Sequence, residues 1–176
     1  KKAFFSLRLP GTFLTAQNWL NITQQLSMLL VVAAGMTVVM VMGDFDLSVG
    51  SMASLSGVVV AVLFAAGWPI WAAILAALLV GLAGGVINGA MVSLIGILPF
   101  VATLATLTIF SGAAFVVSGG KTIAGRSIPE DFGAFARQGV DLGFVTLPNL
   151  SLVALAVLVF TWVLLEQTTF GRRLYA

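Results

Sequence analysis

The stretch MVMGDFDLSVGSM, residues 40–52, places two aspartates, Asp44 and Asp46, between two long uncharged segments. No charged residue precedes them back to Leu9, and none follows them until Lys121. Moving a charge to the centre of a bilayer costs from about 2.5 to more than 10 kcal/mol. The two acids therefore mark either a water interface or a polar cavity in an otherwise apolar protein.

The composition of the chain is that of a membrane protein. Hydrophobic residues make up 60% of the 176 residues and charged residues only 8%, whereas soluble domains carry about 25% charged residues. The net charge of +2 comes from few groups that form no basic stripe, which argues against a nucleic-acid partner. The chain has no Cys and no His, so we expect no disulfide, no thiolate or imidazole metal site and no His-based catalysis.

Five segments are long and apolar enough to cross a bilayer as helices, which takes about 20 residues each. They lie at about 22–43, 48–66, 70–94, 100–118 and 148–165. The predicted fold class is an all-α polytopic membrane protein, with 1–176 as one transmembrane domain. Small residues recur every four positions from Ala53 to Ala65 and from Ala73 to Gly89, which predicts close packing of these two faces against other helices.

A polar insertion at 119–147 separates the last two apolar segments. A short helix is predicted within it at 127–137, because Ser127 and Glu130 have capping-box spacing and two acids lie in the first turn. The sequence GGKT at 119–122 matches the end of a phosphate-binding loop. Phe115 stands where that pattern requires glycine, so we expect no ATP site in this chain.

The residues alone leave two interpretations of the aspartates open. In one, Asp46 or Ser48 caps the second helix in an ordinary interfacial turn. In the other, the acids belong to an irregular polar segment that lines a pathway through the membrane. Asn88, an amide within the third helix, either bonds a neighbouring helix or lines that pathway. Thr103 is expected to bond its own backbone.

Three motifs, in order along the chain, resemble those of the membrane permeases of bacterial ABC importers for sugars, the ribose/xylose/galactose-type family. They are AAGMTVVMVMGDFDLSVGSMASLSGVV at 33–59, GGVINGAMVSLIGILPFVATLATLTIFSG at 84–112 and TTFGRRLYA at 168–176. The resemblance covers residues 12–176. Asp44 departs from the family pattern, which commonly has Gly-Gly-Ile before DLSVG, and Ser111 stands where an arginine is common.

The resemblance implies a permease subunit that moves a small polar solute, a monosaccharide or related polyol, across the bacterial inner membrane. The complete fold would have roughly ten helices and be similar to the vitamin B12 importer, with this chain as part of its N-terminal half. The implied partners are a second permease copy, identical or different, a cytosolic ABC ATPase and a periplasmic solute-binding protein. ATP and Mg would be bound by the ATPase, so the chain itself would be no enzyme and would hold no cofactor.

The motifs and the polar residues together give two sets of candidate site residues. The predicted translocation pathway or gate is lined by Asp44, Asp46, Ser48, Asn88, Phe100 and Thr103. The predicted contact with the ATPase, at the start of a cytoplasmic coupling loop over 168–176, uses Phe170, Gly171, Arg172, Arg173 and Tyr175.

The distribution of basic residues, taken alone, predicts a membrane orientation opposite to the one that the motifs imply. With 168–176 in the cytoplasm and 119–147 in the periplasm, six of the eight basic residues lie outside, which reverses the positive-inside rule. The motifs take precedence in our interpretation. The alternative function is an ion-coupled secondary transporter or channel that uses Asp44 and Asp46 as its coupling site.

Overall fold

The computed structural model describes residues 15–123, 125–141 and 146–175, which are mainly helical. The helices are α1 (Ala16–Val41), α2 (Val49–Ala65), α3 (Ile70–Ser93), α4 (Pro99–Ser118), α5 (Glu130–Arg137), α6 (Asn149–Gln167) and α7 (Thr169–Leu174). A 3-10 turn at Gly125–Ser127 precedes α5. Two short antiparallel strands, β1 (Gly139–Asp141) and β2 (Thr146–Pro148), precede α6.

All five predicted apolar segments form helices. Within the described ranges, four are long and apolar enough to cross a membrane: α1 from Asn18, α3, α4 and α6. The fifth, α2, is apolar but has 17 residues, or about 25 Å at 1.5 Å per residue, which is at the short limit for a spanning helix. The largest boundary difference is at α1, which begins at Ala16 rather than near residue 22.

Internal contacts divide the described residues into two units. One contains the residues up to Gly35 together with Ala134–Leu174, and the other contains Met36–Gly133 and Tyr175. Helix α1 contributes to both units.

Polar contacts join the elements of the first unit. The hydroxyl groups of Ser27 in α1 and Ser151 in α6 are hydrogen-bonded at 2.9 Å. Gln24 Nε2 of α1 donates to the backbone oxygen of Ala136 in α5 at 3.4 Å. The strand pair β1–β2 was not predicted, because three-residue strands carry no periodic signal in the sequence.

The second unit is built around α2, which packs along both α3 and α4. Its buried core is small and consists of Leu55, Phe110 and Ala114, with Met52 packed against them. Gly84 of α3 is buried where the helix meets Met52 and Phe110. Most of the remaining apolar side chains of these helices are exposed, as expected for a surface that faces lipid or other membrane helices.

The predicted packing stripes are only partly buried within this chain. Ala73 is fully buried, but further along α3 the buried positions are Gly84 and Asn88 rather than Gly85 and Gly89. A spacing of four residues drifts off one face of a helix with 3.6 residues per turn, so the contact moves to the neighbouring positions. The α2 stripe from Ala53 to Ala65 is mostly exposed within this chain.

The predicted short helix is confirmed as α5. The ring of Phe132 packs edge-on against Phe64 of α2, with centroids 5.0 Å apart. The predicted capping box is wrong, because Ser127 ends the 3-10 turn and Pro129 directly precedes the helix.

The end of α1 is set by Gly43, whose φ is +83°. The N–H groups of Gly43 and Asp44 donate to the backbone oxygens of Met40 and Val39 at 3.0 and 3.4 Å. These two bonds form a Schellman cap, which needs a left-handed residue at the glycine position. The cap ends the helix immediately before the first aspartate.

We expect Gly43→Ala to lower the free energy of unfolding by about 1–2 kcal/mol, because a Cβ is strained in the left-handed region. Gly35→Ala is the matched control within the same helix. A Cβ at Gly35 would meet nothing within 4 Å, so this variant should be unchanged or stabilised by up to about 1 kcal/mol. Thermal unfolding of the full-length variants in detergent measures both, and equal melting temperatures would contradict the assigned role of Gly43.

Candidate functional site

The polar residues that interrupt the apolar helices meet at one end of the second unit. At this end α2 begins, α3 ends and α4 begins, as the contacts of Ser48 with Asn88 and of Phe45 with Thr103 demonstrate. Asn88 lies five residues before the last residue of α3, or about 7.5 Å along the helix axis. The site is therefore near the helix ends rather than midway along the helices.

A series of hydrogen bonds connects the segment before α2 to α3. Asp46 Oδ1 accepts from the backbone N–H of Ser48 at 2.7 Å and from its hydroxyl at 2.6 Å. The Ser48 oxygen accepts in turn from Asn88 Nδ2 at 2.8 Å. Ser48 is 1% exposed and Asn88 is 8% exposed, so these bonds form in a medium of low dielectric constant, where they are stronger than in water.

This geometry combines the two interpretations of the aspartates. Asp46 fixes the turn that leads into α2, as a capping residue would. Ser48 occupies the position before the helix but makes no capping bond with its side chain, because its backbone is helical (φ −83°, ψ −10°) rather than extended. Its oxygen accepts instead from Asn88. Both aspartates also lie outside the helices, in the irregular segment at 44–46.

A cavity of about 350 Å³ opens beside this segment. Asp44, Asp46, Asn88 and Thr103 supply most of its polar side chains, and much of the remaining wall is apolar or glycine. A smaller cavity of about 160 Å³ shares Asp46 and Asn88 and is also lined by Ser48. The two acids, which lie close in sequence, thus border the same cavity.

Asn88 has one atom without a partner. Its Oδ1 is buried and accepts no hydrogen bond from the described part of the chain. The single hydroxyl hydrogen of Ser48 goes to Asp46, so Ser48 can only accept from Asn88, which assigns the amide nitrogen to this contact. A buried acceptor without a donor costs about 1–3 kcal/mol, and Asn88 lines both cavities.

Thr103 forms the backbone bond that the sequence predicts, donating to the Pro99 oxygen at 2.8 Å. The backbone oxygen of Phe45 lies 3.4 Å from the same hydroxyl. Phe100 is 56% exposed and does not line either cavity. The structure therefore brings together five of the six residues predicted for the pathway, and leaves Phe100 on an exposed face.

Thr168 joins α6 to α7 in the first unit. Its hydroxyl donates to the Leu164 oxygen at 2.5 Å and accepts from the Gly171 N–H at 3.2 Å. Gly171 is buried, and a Cβ there would overlap the backbone oxygen of Leu165. We did not predict a role for Thr168, although a threonine three residues before the bonded N–H is the spacing of a helix N-cap.

The remaining residues predicted for ATPase contact are exposed. Arg172 and Arg173 lie in the last turn of α7, where cations also interact favourably with the helix dipole. The side chains of Phe170 and Tyr175 are 48% and 57% exposed. Thr168 and Gly171 thus hold the short helix in place, while these four side chains remain available on its surface.

Ionisable residues among apolar membrane helices usually face the interior of the bundle or a water-filled cavity, and they often mark a transport pathway. Residues 18–176 match the family described as branched-chain amino acid transport system / permease component, and the chain belongs to this family. It is a multi-pass inner membrane protein, and the fold class predicted from the sequence is confirmed. No solved structure matches the chain significantly.

Curated relatives support the predicted sugar-importer permease family. The chain is 38% identical over 168 residues to the ribose import permease protein of Bacillus subtilis, covering 96% of this chain and 51% of that protein. It is 37% identical over 150 residues to the autoinducer 2 import system permease protein of Klebsiella pneumoniae, covering 82% and 44%. It is 35% identical over 175 residues to the D-allose transport system permease protein of Escherichia coli, covering 99% and 52%. The chain spans about half the length of these relatives.

We expect Asp46→Ala to destabilise the fold by about 1 kcal/mol, because the turn before α2 loses its acceptor. Asp46→Asn keeps an oxygen at the same place and should melt close to the unmodified protein. The comparison is made by thermal unfolding in detergent, followed by solute uptake in vesicles. A folded Asp46→Asn variant that loses uptake would assign the charge to transport, whereas an equal loss of stability in both variants would contradict the hydrogen-bonding role.

Proposed function

We propose that this chain is the membrane-spanning part of a permease subunit of an ATP-binding-cassette importer, and that it moves a small polar solute of the monosaccharide or polyol class. The observation that carries the proposal is the 350 Å³ cavity, which two acids border at the ends of three helices, α2, α3 and α4, that carry no charged residue. Charged groups among membrane helices are costly and usually mark a transport pathway.

The substrate class is supported by chemistry as well as by relatives. Two relatives carry ribose and D-allose in their names, whereas the family description refers to branched-chain amino acids. The ammonium group of an amino acid would suit Asp44 and Asp46, but its carboxylate would find no basic side chain on this wall in the described part of the chain. A sugar presents hydroxyl donors to the same acceptors, so the cavity favours the sugar.

The path would be lined by Asp44, Asp46, Ser48, Asn88 and Thr103. Phe100 lies at the start of α4 and is not proposed to line the path. In an alternating-access cycle, tilting of α2, α3 and α4 relative to one another would open or close the shared cavity, because all three contribute to its wall or to the hydrogen bonds around it.

The driving force would come from a separate ATPase that contacts α7. The exposed Phe170, Arg172, Arg173 and Tyr175 supply an apolar and cationic surface, which suits a groove with acidic residues. ATP and Mg would be bound by that partner. A periplasmic binding protein would deliver the solute to the opposite side, and a second permease copy would complete the pore.

We expect the full-length protein to co-purify from membranes with an ATPase, and the double variant Arg172→Glu, Arg173→Glu to lose at least tenfold of the co-purified ATPase activity. Reversing two charges on the α7 surface would remove its attraction to an acidic groove of the ATPase and replace it with like-charge repulsion. The matched control is Lys121→Glu, a charge reversal at an exposed residue in the predicted periplasmic loop, which should leave co-purification unchanged.

A protein that purifies without an ATPase and takes up solute in vesicles lacking ATP would contradict the importer proposal. Uptake driven by a sodium or proton gradient would then favour the alternative, a secondary transporter that uses Asp44 and Asp46.

We expect Gly171→Ala to uncouple transport from ATP hydrolysis. The added methyl group overlaps the Leu165 backbone oxygen, so α7 must move away from the end of α6. Solute uptake per ATP hydrolysed by the reconstituted complex should fall by at least tenfold, while the permease still folds. The control is Gly112→Ala in α4, where a Cβ meets nothing within 4 Å. If both variants take up the same amount of solute per ATP hydrolysed, α7 has no role in coupling.

A further inference from the structure

We propose that the cleft between α2 and the segment that follows α4 binds an anionic phospholipid, with Lys121 at the lipid phosphate and the outer face of α2 along an acyl chain. The cleft has a volume of about 370 Å³. Ser54, Gly57, Val58 and Ala61 of α2 line one side, and Ser118 and residues 121–123 line the other. It shares no lining residue with the two cavities beside the aspartates.

Lys121 lies at the level of a membrane surface. Helix α4 has 20 residues, or about 30 Å, which is the thickness of the hydrocarbon core, and Lys121 follows its last residue by three positions. Helices α2 and α4 run in the same direction, because Phe45 before α2 contacts Thr103 near the start of α4. Trp68, just beyond the end of α2, is 54% exposed, as is common for tryptophan at a membrane interface. The lipid would belong to the leaflet predicted to be periplasmic.

Two glycines turn the chain back onto α2. Gly119 and Gly120 have φ values of +61° and +67°, and their N–H groups donate to backbone oxygens in the last turns of α4 at 3.0 Å each. These bonds form a Schellman cap. Because the chain reverses at the cap, residues 121–123 return alongside α2. The GGKT sequence at 119–122, which is no nucleotide loop, thus brings an ammonium and a hydroxyl group to an apolar cleft.

The charge of Lys121 fits a phosphate. No acidic side chain lines the cleft within the described ranges, and the sequence has no acid between Asp46 and Glu130. Lys121 is exposed and forms no ion pair with the described residues. An ammonium group offers three donors, and the Thr122 hydroxyl beside it offers another. Lysine is a common ligand of phosphate groups, and basic pockets between membrane helices bind lipid head groups.

The floor of the cleft favours a phospholipid over a free phosphate ion. Gly57 and Ala61 are one helical turn apart, and a Cβ added at Gly57 would meet nothing within 4 Å, so the floor is open. Val58 and Ile123 are apolar and half-buried beside it. Burial of apolar surface is favourable for an acyl chain, and an inorganic ion gains nothing from it.

The volume of the cleft favours an acyl chain over a helix. Ser54 and Ala61 are seven positions apart, or about 10 Å along α2. A helix with its side chains is about 10–12 Å wide, so over this length it occupies roughly 800–1,200 Å³, at least twice the volume of the cleft. The α2 stripe that was predicted to pack against another helix includes Gly57 and Ala61, so the two occupants exclude each other there.

A photoreactive lipid tests the site in the full-length protein. The probe is a phosphatidylglycerol that carries a diazirine in one acyl chain. It is mixed with the purified protein in detergent micelles and activated by light, and peptide mass spectrometry locates the cross-links. We expect cross-links on 54–61 and 118–123, at a yield well above that on the exposed face of α3 at Leu78 and Leu82.

The head-group preference is measured by competition with unlabelled lipids that have identical acyl chains. Phosphatidylglycerol should displace the probe from the cleft at a mole fraction about fivefold lower than phosphatidylcholine, which is the factor that one lysine near a membrane surface contributes. Lys121→Gln should remove this preference, and Lys121→Arg, which keeps the charge, should retain it. Inorganic phosphate in excess should not displace the probe.

The apolar floor is tested by filling it. Gly57→Leu places a side chain in the open space of the cleft and should abolish the excess cross-linking there. The matched control is Gly112→Leu in α4, which is also exposed with nothing within 4 Å of an added Cβ and lies outside the cleft lining. It should leave the cross-linking unchanged. Thermal unfolding verifies that the variants fold, and Ala61→Leu, which narrows the same floor, replaces Gly57→Leu if that variant does not.

Each contrary outcome overturns a different part of the proposal. If the cleft is labelled no more than α3, another helix of the full-length protein covers this face of α2, and the lipid site is overturned. A preference for phosphatidylglycerol that is absent, or that survives Lys121→Gln, overturns the role of the lysine. Displacement of the probe by inorganic phosphate assigns the cleft to a soluble anion. ATP-driven uptake tests the permease proposal separately from all of these results.

Discussion

The contact between Ser48 and Asn88 is the interaction on which the second unit depends. A membrane environment offers few partners to polar groups, so each one must find its partner within the protein or in a hydrated cavity. Ser48 meets this requirement on both sides, since it donates to Asp46 and accepts from Asn88. One buried hydroxyl thus connects the irregular segment before α2 to the end of α3. The arrangement also leaves Asn88 Oδ1 buried without a donor from the described part of the chain.

The elements that the sequence predicted well are those with strong, local signals. Twenty-residue apolar runs have one stable solution in lipid, a helix, so the existence of the helices could be read directly. The small-residue stripes were less informative, because a four-residue repeat and a 3.6-residue helix diverge along α3, and only the structure identifies Gly84 and Asn88 as the contact face. The capping box around Ser127 failed because a proline, Pro129, takes the position directly before the helix.

The candidate site, like the fold, was predictable from the sequence only in part. The residue types at 44–48, Asn88 and Thr103 could be selected from the sequence because polar groups are rare in this chain. The sequence could not show that these residues lie close together, because this depends on the pairing of helices that are distant in sequence. The Ser48–Asn88 bond, for example, joins residues 40 positions apart. Phe100 was selected as a neighbour of Pro99, but its direction on the helix follows from the rotation of α4, which the sequence does not encode locally. The free oxygen of Asn88 had no sequence signal.

Thr168 gives the junction between α6 and α7 an unusual mechanical property. The carbonyl groups at the end of one helix and the N–H groups at the start of the next each need a partner outside their helix. Here a single hydroxyl serves both, and the close approach of Gly171 to Leu165 leaves no room between the backbones. A rotation of α7 against the end of α6 would therefore break the Thr168 hydrogen bonds or push Gly171 into the Leu165 backbone. These contacts oppose a change in the angle between the six residues of α7 and the 19 residues of α6.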